Sequence, residues 1–146
     1  MAGWTSWVWR GSAVLLCLAL CLGRAAAAEQ VLASFTKNVV QVTLTLSPHD
    51  QGHATLVAAF APTSPDLHLY SLALPADADA GVATAVSFPP GGLTALGKPS
   101  CNQPDHLSDG LLVYPPGPIL VTQQVQLPAA AGASTIIVSY MACTAS

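Results

Sequence analysis

The chain has 146 residues, of which 52% are hydrophobic and only 8% are charged, and its formal net charge is −3. It contains four basic residues, and they are scattered, which argues against a nucleic-acid partner because phosphate binding needs grouped cations. The length allows one compact domain with its own core and excludes two.

Residues 1–28 have the pattern of an export signal. Arg10 supplies positive charge, the run AVLLCLALCLG is a short apolar core, and Ala26 and Ala28 are small residues suited to cleavage before Glu29. The apolar run is too short to span a bilayer, so we expect no membrane insertion after cleavage. The remaining chain would carry two lysines against seven acidic residues, a formal charge of −5. The sequence therefore predicts a periplasmic or otherwise exported protein.

Alternation of apolar and polar residues dominates the rest of the chain. In the segment VVQVTLTL, residues Val40, Val42, Leu44 and Leu46 share one face, the period of a half-buried strand. Segments rich in proline, glycine and aspartate separate such runs. The pattern predicts an all-β fold, an antiparallel β-sandwich of about seven strands. Strands are predicted at 39–46, 53–61, 66–74, 82–88, 111–114, 119–127 and 134–140.

One segment interrupts this rhythm. Residues 92–110, GLTALGKPSCNQPDHLSDG, are predicted to form a long polar loop. Loops of that length in a small domain are usually functional or mobile. The loop carries one of the two cysteines that remain after signal removal.

Those two cysteines, Cys101 and Cys143, are the candidate chemical groups. In an exported protein a cysteine pair indicates either a structural bridge or exchange thiols. A bridge between them would close a loop of about forty residues and stabilise the fold by about 4 kcal/mol. Cys143 follows the predicted strand 134–140, where a loop thiol is open to a partner protein, although a free cysteine is also a common buried residue. The residues alone leave these alternatives open.

The histidines do not form a metal-binding pattern. His49 lies in a turn and His53 opens the next strand, so they do not share the helical face on which such a pair chelates. Cys101 and His106 lie together in the predicted loop without further ligands. No nucleophile elbow of the G-x-S-x-G type occurs. The sequence predicts no metal and no cofactor, and it assigns no small-molecule ligand.

Several segments carry a family likeness. They are VSFPPGG, GKP, and GLLVYPPGPILVTQQVQLPAAAGASTIIVSYMAC, which ends at Cys143. The last one contains Leu127 and Pro128 before a short turn, then Val138 and Tyr140 before the cysteine. This arrangement resembles the N-terminal periplasmic domain of the bacterial thiol:disulfide interchange protein DsbD and its relatives. DLHLYSLALP, which contains Tyr70, is similar to an early strand of that family.

The resemblance implies an immunoglobulin-like sandwich that relays electrons from a thioredoxin-like donor to periplasmic disulfide oxidoreductases through a cysteine pair. Cys143 matches the first redox cysteine of the family and is the redox-active candidate. The second one, expected a few residues later, is absent, so residues 29–146 are expected to form a domain that lacks its last segment. Cys101 is the candidate partner. The protective cap loop of the family maps near TALGKPS, where Leu96 would shield the thiol.

A function from another class fits the composition equally well. Low charge, many prolines and alternating strands are also typical of a non-enzymatic, exported β-sandwich that serves as a binding or scaffold domain. In that alternative Cys101 and Cys143 are bridged or buried and have only a structural role.

Overall fold

A computed structural model describes residues 28–144, so the predicted signal before Ala28 lies outside the described residues. The structure confirms the all-β antiparallel sandwich. Within residues 28–144 no helix is long and apolar enough to cross a membrane. In this described part of the chain the strands are β1 (Gln30–Lys37), β2 (Val40–Pro48), β3 (His53–Pro62), β4 (Leu67–Leu69), β5 (Ala85–Ser87), β6 (Thr94–Cys101), β7 (His106–Ser108), β8 (Leu111–Val113), β9 (Ile119–Gln126), β10 (Ile137–Ser139) and β11 (Ala142–Thr144). A 3-10 turn lies at Asp50–Gly52.

The larger layer is a five-stranded antiparallel sheet in the order β1-β2-β3-β9-β6. Its three central strands alternate strictly between buried and more exposed residues, as the sequence pattern predicts. Val42 in β2, Phe60 in β3 and Ile119 in β9 are fully buried on the inner face. The apolar face of this sheet is therefore the floor of the core.

The second layer consists of short strands in three antiparallel pairs, β4 with β11, β5 with β10, and β7 with β8. Tyr70, at the end of β4, bridges to Val113 of β8. The backbone N–H of Tyr114 donates to the carbonyl of Leu69 at 2.9 Å, which continues the pairing of these two segments. The pairs β4–β11 and β7–β8 are thus joined into one surface opposite the large sheet.

The core lies between the two layers and extends to the edge strand β1. Leu69 and Tyr114 of the second layer pack with Phe60 of the large sheet. The ring of Tyr140 contacts Phe60 edge to face, with 5.5 Å between the ring centroids, and its hydroxyl donates to the carbonyl of Lys37 at 2.8 Å. Tyr140 therefore connects the second layer both to the core and to β1.

The prediction that residues 92–110 form a long loop is wrong. The segment contains β6, which pairs with β9 as an edge of the large sheet, and β7. Every residue of β6 except Cys101 is exposed, so the strand shows none of the alternation that marks a half-buried strand. The expected shielding of Cys143 by Leu96 is also wrong, because Leu96 lies opposite Gln124 in the large sheet, whereas Cys143 pairs with β4 in the second layer.

Candidate functional site

The β4–β11 ladder determines which way the candidate thiol faces. Ala142 lies opposite Leu69, and both contact the core between the layers. The next pair along this antiparallel ladder is Cys143 opposite His68. Successive strand residues point to opposite faces of a sheet, so Cys143 and His68 share the outer face of the second layer.

Cys143 is a half-buried thiol with one polar partner. Its sulfur lies 3.4 Å from the hydroxyl oxygen of Tyr70, and its side chain packs against the small cluster of Tyr70, Leu74 and Val113. Cys143 lies within β11. The sequence pattern predicted instead that it lies on a loop after the last strand, and this placement is wrong. The thiol is therefore held by backbone pairing on an edge strand of the second layer.

Tyr70 places its hydroxyl within hydrogen-bonding distance of this sulfur. The pKa of Tyr70 is raised above its ordinary value of 10.0. The largest cause is the hydrogen bond between its hydroxyl and Cys143, followed by burial and by the negative charge of a Cys143 thiolate. The phenol consequently keeps its proton at neutral pH. A thiolate formed at Cys143 would find a protonated hydroxyl in place to donate to it.

His68 lies opposite Cys143 on the same outer face of the second layer. Only 5% of its surface is exposed, and its ring meets that of Tyr70 edge to face with centroids 6.1 Å apart. The pKa of His68 is lowered from 6.5, mainly by burial and secondarily by the charge of His106. The imidazole is therefore neutral at neutral pH, and it contributes packing but no positive charge.

Residues 71–84 cover this face. The segment leaves Tyr70 and returns to it, since the hydroxyl of Thr84 donates to the Tyr70 carbonyl at 2.7 Å. Leu74 is buried against Tyr70 on the way. Gly81 passes directly over the ring at φ +90°, and a Cβ atom there would lie 2.8 Å from the Tyr70 ring. Only glycine permits this close approach.

Cys101 lies in a different place from Cys143. It is the last residue of β6, opposite Val121 in the large sheet, and it packs against the core between the layers. Its thiol donates to the side-chain oxygen of Asn102 at 3.8 Å. Both cysteines are free thiols. The structure therefore does not bring the two sequence candidates together, because Cys143 faces away from the core that Cys101 contacts.

The surroundings of Cys101 form a small polar pocket of about 320 Å³. The fully buried Ser71 donates to Asp105 at 2.5 Å and accepts from the N–H of Ala73 at 2.9 Å. The hydroxyl of Tyr114 accepts from the N–H of Leu72 at 3.0 Å. Each of these groups is satisfied within the fold, which is the pattern of a structural network that fixes the turn after β4.

The described part of the chain contains no group of three or more histidine, cysteine, aspartate or glutamate side chains that could hold a metal ion. His49 bonds to the hydroxyl of Thr55 at 2.7 Å, and His53 opens β3 opposite Gln126. His106 belongs to β7 and not to a loop.

From the sequence, His68 was not identified, and Tyr70 was named only as part of a family-like strand. The run DLHLYSL alternates, so it places both side chains on the face opposite Leu67 and Leu69. That signal was sufficient to pair the histidine with the tyrosine. The alternation gave no indication that Cys143 lies beside these two side chains, because β4 and β11 are more than seventy residues apart in the chain.

No protein-family model, no curated protein and no solved structure matches this chain.

Proposed function

We propose that this chain is a thiol:disulfide exchange module in which Cys143 is the reacting thiol. The observation that carries the proposal is the contact at 3.4 Å between a half-buried thiol on an edge strand and a protonated hydroxyl. Thiol exchange requires an attacking sulfur that a partner can reach and a group that stabilises the thiolate. The motif around Tyr140 and Cys143, with its likeness to the interchange family, supports the same assignment.

The reaction needs no second cysteine beside Cys143. Its thiolate attacks an acceptor disulfide, forms a mixed disulfide and releases one acceptor thiolate, which takes up a proton. A thioredoxin-like donor with two thiols then attacks, releases the second acceptor thiol, and closes its own disulfide as Cys143 leaves. Two electrons and two protons pass from the donor dithiol to the acceptor disulfide. Thioredoxin-like domains are therefore the proposed partners, and the proposed site of action is the periplasm or another exported compartment.

A capture experiment tests this proposal. A thioredoxin variant with one active-site cysteine, activated as a mixed disulfide with thionitrobenzoate, is mixed with the full chain, in which Cys17 and Cys21 are replaced by serine in every sample. Attack by Cys143 forms a covalent complex and releases the yellow thionitrobenzoate anion. We expect Cys143→Ser to lower the rate of release at least tenfold and to remove the complex located by mass spectrometry at Cys143.

Cys101→Ser is the matched control, because it removes the other described thiol and leaves the Tyr70 contact intact. It should keep the wild-type rate. If Cys143→Ser captures the partner as fast as the wild type, the exchange function is rejected.

The second candidate is a non-enzymatic binding or scaffold domain with structural cysteines. It is favoured by the packing of Cys143 against the Tyr70, Leu74 and Val113 cluster, which suits a small apolar side chain. In that case Cys143→Ser would lower the melting temperature without any change in capture. The same two variants therefore separate the two functions.

A further inference from the structure

The sandwich is open along one edge, where a cavity of about 570 Å³ lies between the large sheet and the second layer. β1 and β2 form one wall and β10 forms the other, through Leu44, Phe35 and Val138 among others. This volume lies within the range of about 300 to 1,000 Å³ that is typical of small-molecule sites. The cavity is separate from Cys143, which does not line it.

A bulge in β1 shapes the cavity. Val31 pairs with Thr45 and Ala33 with Leu44, so Leu32 is an extra residue in β1 with no partner opposite it. Such a bulge redirects side chains, and here the successive residues Leu32 and Ala33 both line the cavity. In a regular strand they would point to opposite faces. The bulge in β1 therefore allows two successive apolar side chains to line the cavity.

The chemistry of the lining indicates the kind of occupant. Apart from Gly132 and Ser134, every described residue that lines the cavity is apolar, and none is charged. Leu32 and Phe35 are 39% and 40% exposed at the mouth, an unusual position for two large hydrophobic side chains on one edge. Burying a charge against such walls would be costly, whereas an apolar body would cover them. Ser134, which is exposed, offers one hydrogen-bonding hydroxyl at the rim.

The depth of the cavity favours a small molecule over a protein surface. Leu44 and Leu46, on its floor, are only 4% and 9% exposed, so they lie well below the rim. A flat protein face would contact Leu32 and Phe35 and leave that floor empty. A narrow ligand can enter between the layers and reach it.

We infer that this cavity binds an uncharged small molecule with an apolar body and a single hydrogen-bonding end that lies at Ser134. The inference does not depend on the reactivity of Cys143. It assigns a ligand-binding role to the sandwich edge formed by β1, β2 and β10.

Gly132 offers a direct way to block the cavity. A Cβ atom at Gly132 would meet nothing within 4 Å, and its backbone does not need the left-handed conformation that disfavours other residues. Gly132→Leu should therefore add a large side chain to the cavity lining without strain. Ala131→Leu is the matched control, since it adds a similar side chain to an exposed neighbour in the same turn that does not line the cavity.

The probe is N-phenyl-1-naphthylamine, an uncharged dye that fluoresces in apolar sites, titrated into the full chain. We expect saturable binding to the wild type, at least a tenfold weaker affinity for Gly132→Leu, and an affinity within twofold of the wild type for Ala131→Leu. Short primary alcohols should displace the dye more effectively as their chains lengthen. The anionic dye anilinonaphthalene sulfonate should bind at least tenfold more weakly than the neutral one.

Three results of the dye titration would overturn the inference: no saturable binding to the wild type, equal binding by Gly132→Leu, or equal loss of affinity in both variants. Thermal unfolding checks that Gly132→Leu is folded, and Ala33→Leu blocks the opposite wall if it is not. Sedimentation velocity tests the remaining alternative, that a second copy of the chain occupies the cavity. A dimer of the wild type that Gly132→Leu dissociates would show that a second copy, and not a small molecule, occupies the cavity.

Discussion

At the scale of single residues, Tyr70 connects the candidate thiol with the packing of the second layer. Its ring is 7% exposed and contacts His68, while its hydroxyl bonds to Cys143. Its carbonyl accepts the hydroxyl of Thr84. The orientation of the thiol is therefore determined by a side chain that is itself anchored on several sides.

Removing only this hydroxyl tests its role at the sulfur. Tyr70→Phe keeps the ring but leaves a Cys143 thiolate without its donor. Hydrogen bonds to charged groups in buried sites are worth about 1.5–3 kcal/mol. Because this thiol is only half-buried, we expect a smaller effect: alkylation of Cys143 at pH 7.5 that is about threefold to tenfold slower than in the wild type. The rate is measured with iodoacetamide and peptide mass spectrometry.

Tyr140→Phe is the control for that measurement, because its hydroxyl donates to Lys37 and not to the thiol. It should leave the alkylation rate of Cys143 unchanged. Equal alkylation in Tyr70→Phe would mean that the hydroxyl does not activate the sulfur. Faster alkylation would mean that the hydroxyl shields it.

At the scale of elements, the cover formed by residues 71–84 depends on one glycine. Gly81→Ala forces an alanine into φ +90° and places its Cβ against the Tyr70 ring. We expect a loss of about 1–3 kcal/mol in the free energy of unfolding, measured by urea denaturation, and a changed alkylation rate of Cys143.

Gly91→Ala separates the two causes of that loss. Gly91 has a similar φ of +95°, but a Cβ there meets nothing within 4 Å. It shares the backbone strain and lacks the ring contact. If both variants lose the same stability and neither alters Cys143, the close approach of the cover to Tyr70 has no energetic importance.

Edge strands are the elements that sequence patterns failed to predict. The central strands β2, β3 and β9 have one buried and one partly exposed face, and their alternation located them within a few residues. β1 and β6 pair on one side only and are largely exposed, so no apolar period marks them. Their strand conformation comes from pairing with a distant neighbour.

At the scale of the whole molecule, the buried His68 makes stability depend on pH. An unfolded histidine takes up its proton near pH 6.5, whereas His68 in the folded protein takes it up only at lower pH. Between those values the unfolded state binds more protons, so lowering the pH favours unfolding. The stabilising contribution is complete above pH 6.5 and is lost as the pH falls toward the lowered pKa.

We therefore expect the free energy of unfolding to fall between pH 7.5 and 5.5, and to fall less in His68→Gln. Urea unfolding at a series of pH values measures this. His106→Gln should weaken the dependence only in part, since its charge is the secondary cause of the shift. An identical pH dependence in the wild type and His68→Gln would contradict the assignment of His68 as the responsible group.

The sequence alone determined the class of fold and the outline of its core. Alternating residues such as Val42 and Leu44 specify one buried face in each central strand, because strand side chains repeat every two residues. Proline and glycine between the runs separate the strands. These are local properties, readable without knowing which strands pair.

Only the tertiary structure decided what surrounds each cysteine and where the sandwich stays open. The register of β11 on β4 brings Cys143 to His68 and Tyr70, and the position of β6 in the other layer keeps Cys101 apart. The cavity lined by Leu32 likewise arises from a bulge in β1 and from the gap between two layers. Such contacts join residues far apart in the chain, and pairing between distant strands is a property of the whole packed fold and not of any local pattern.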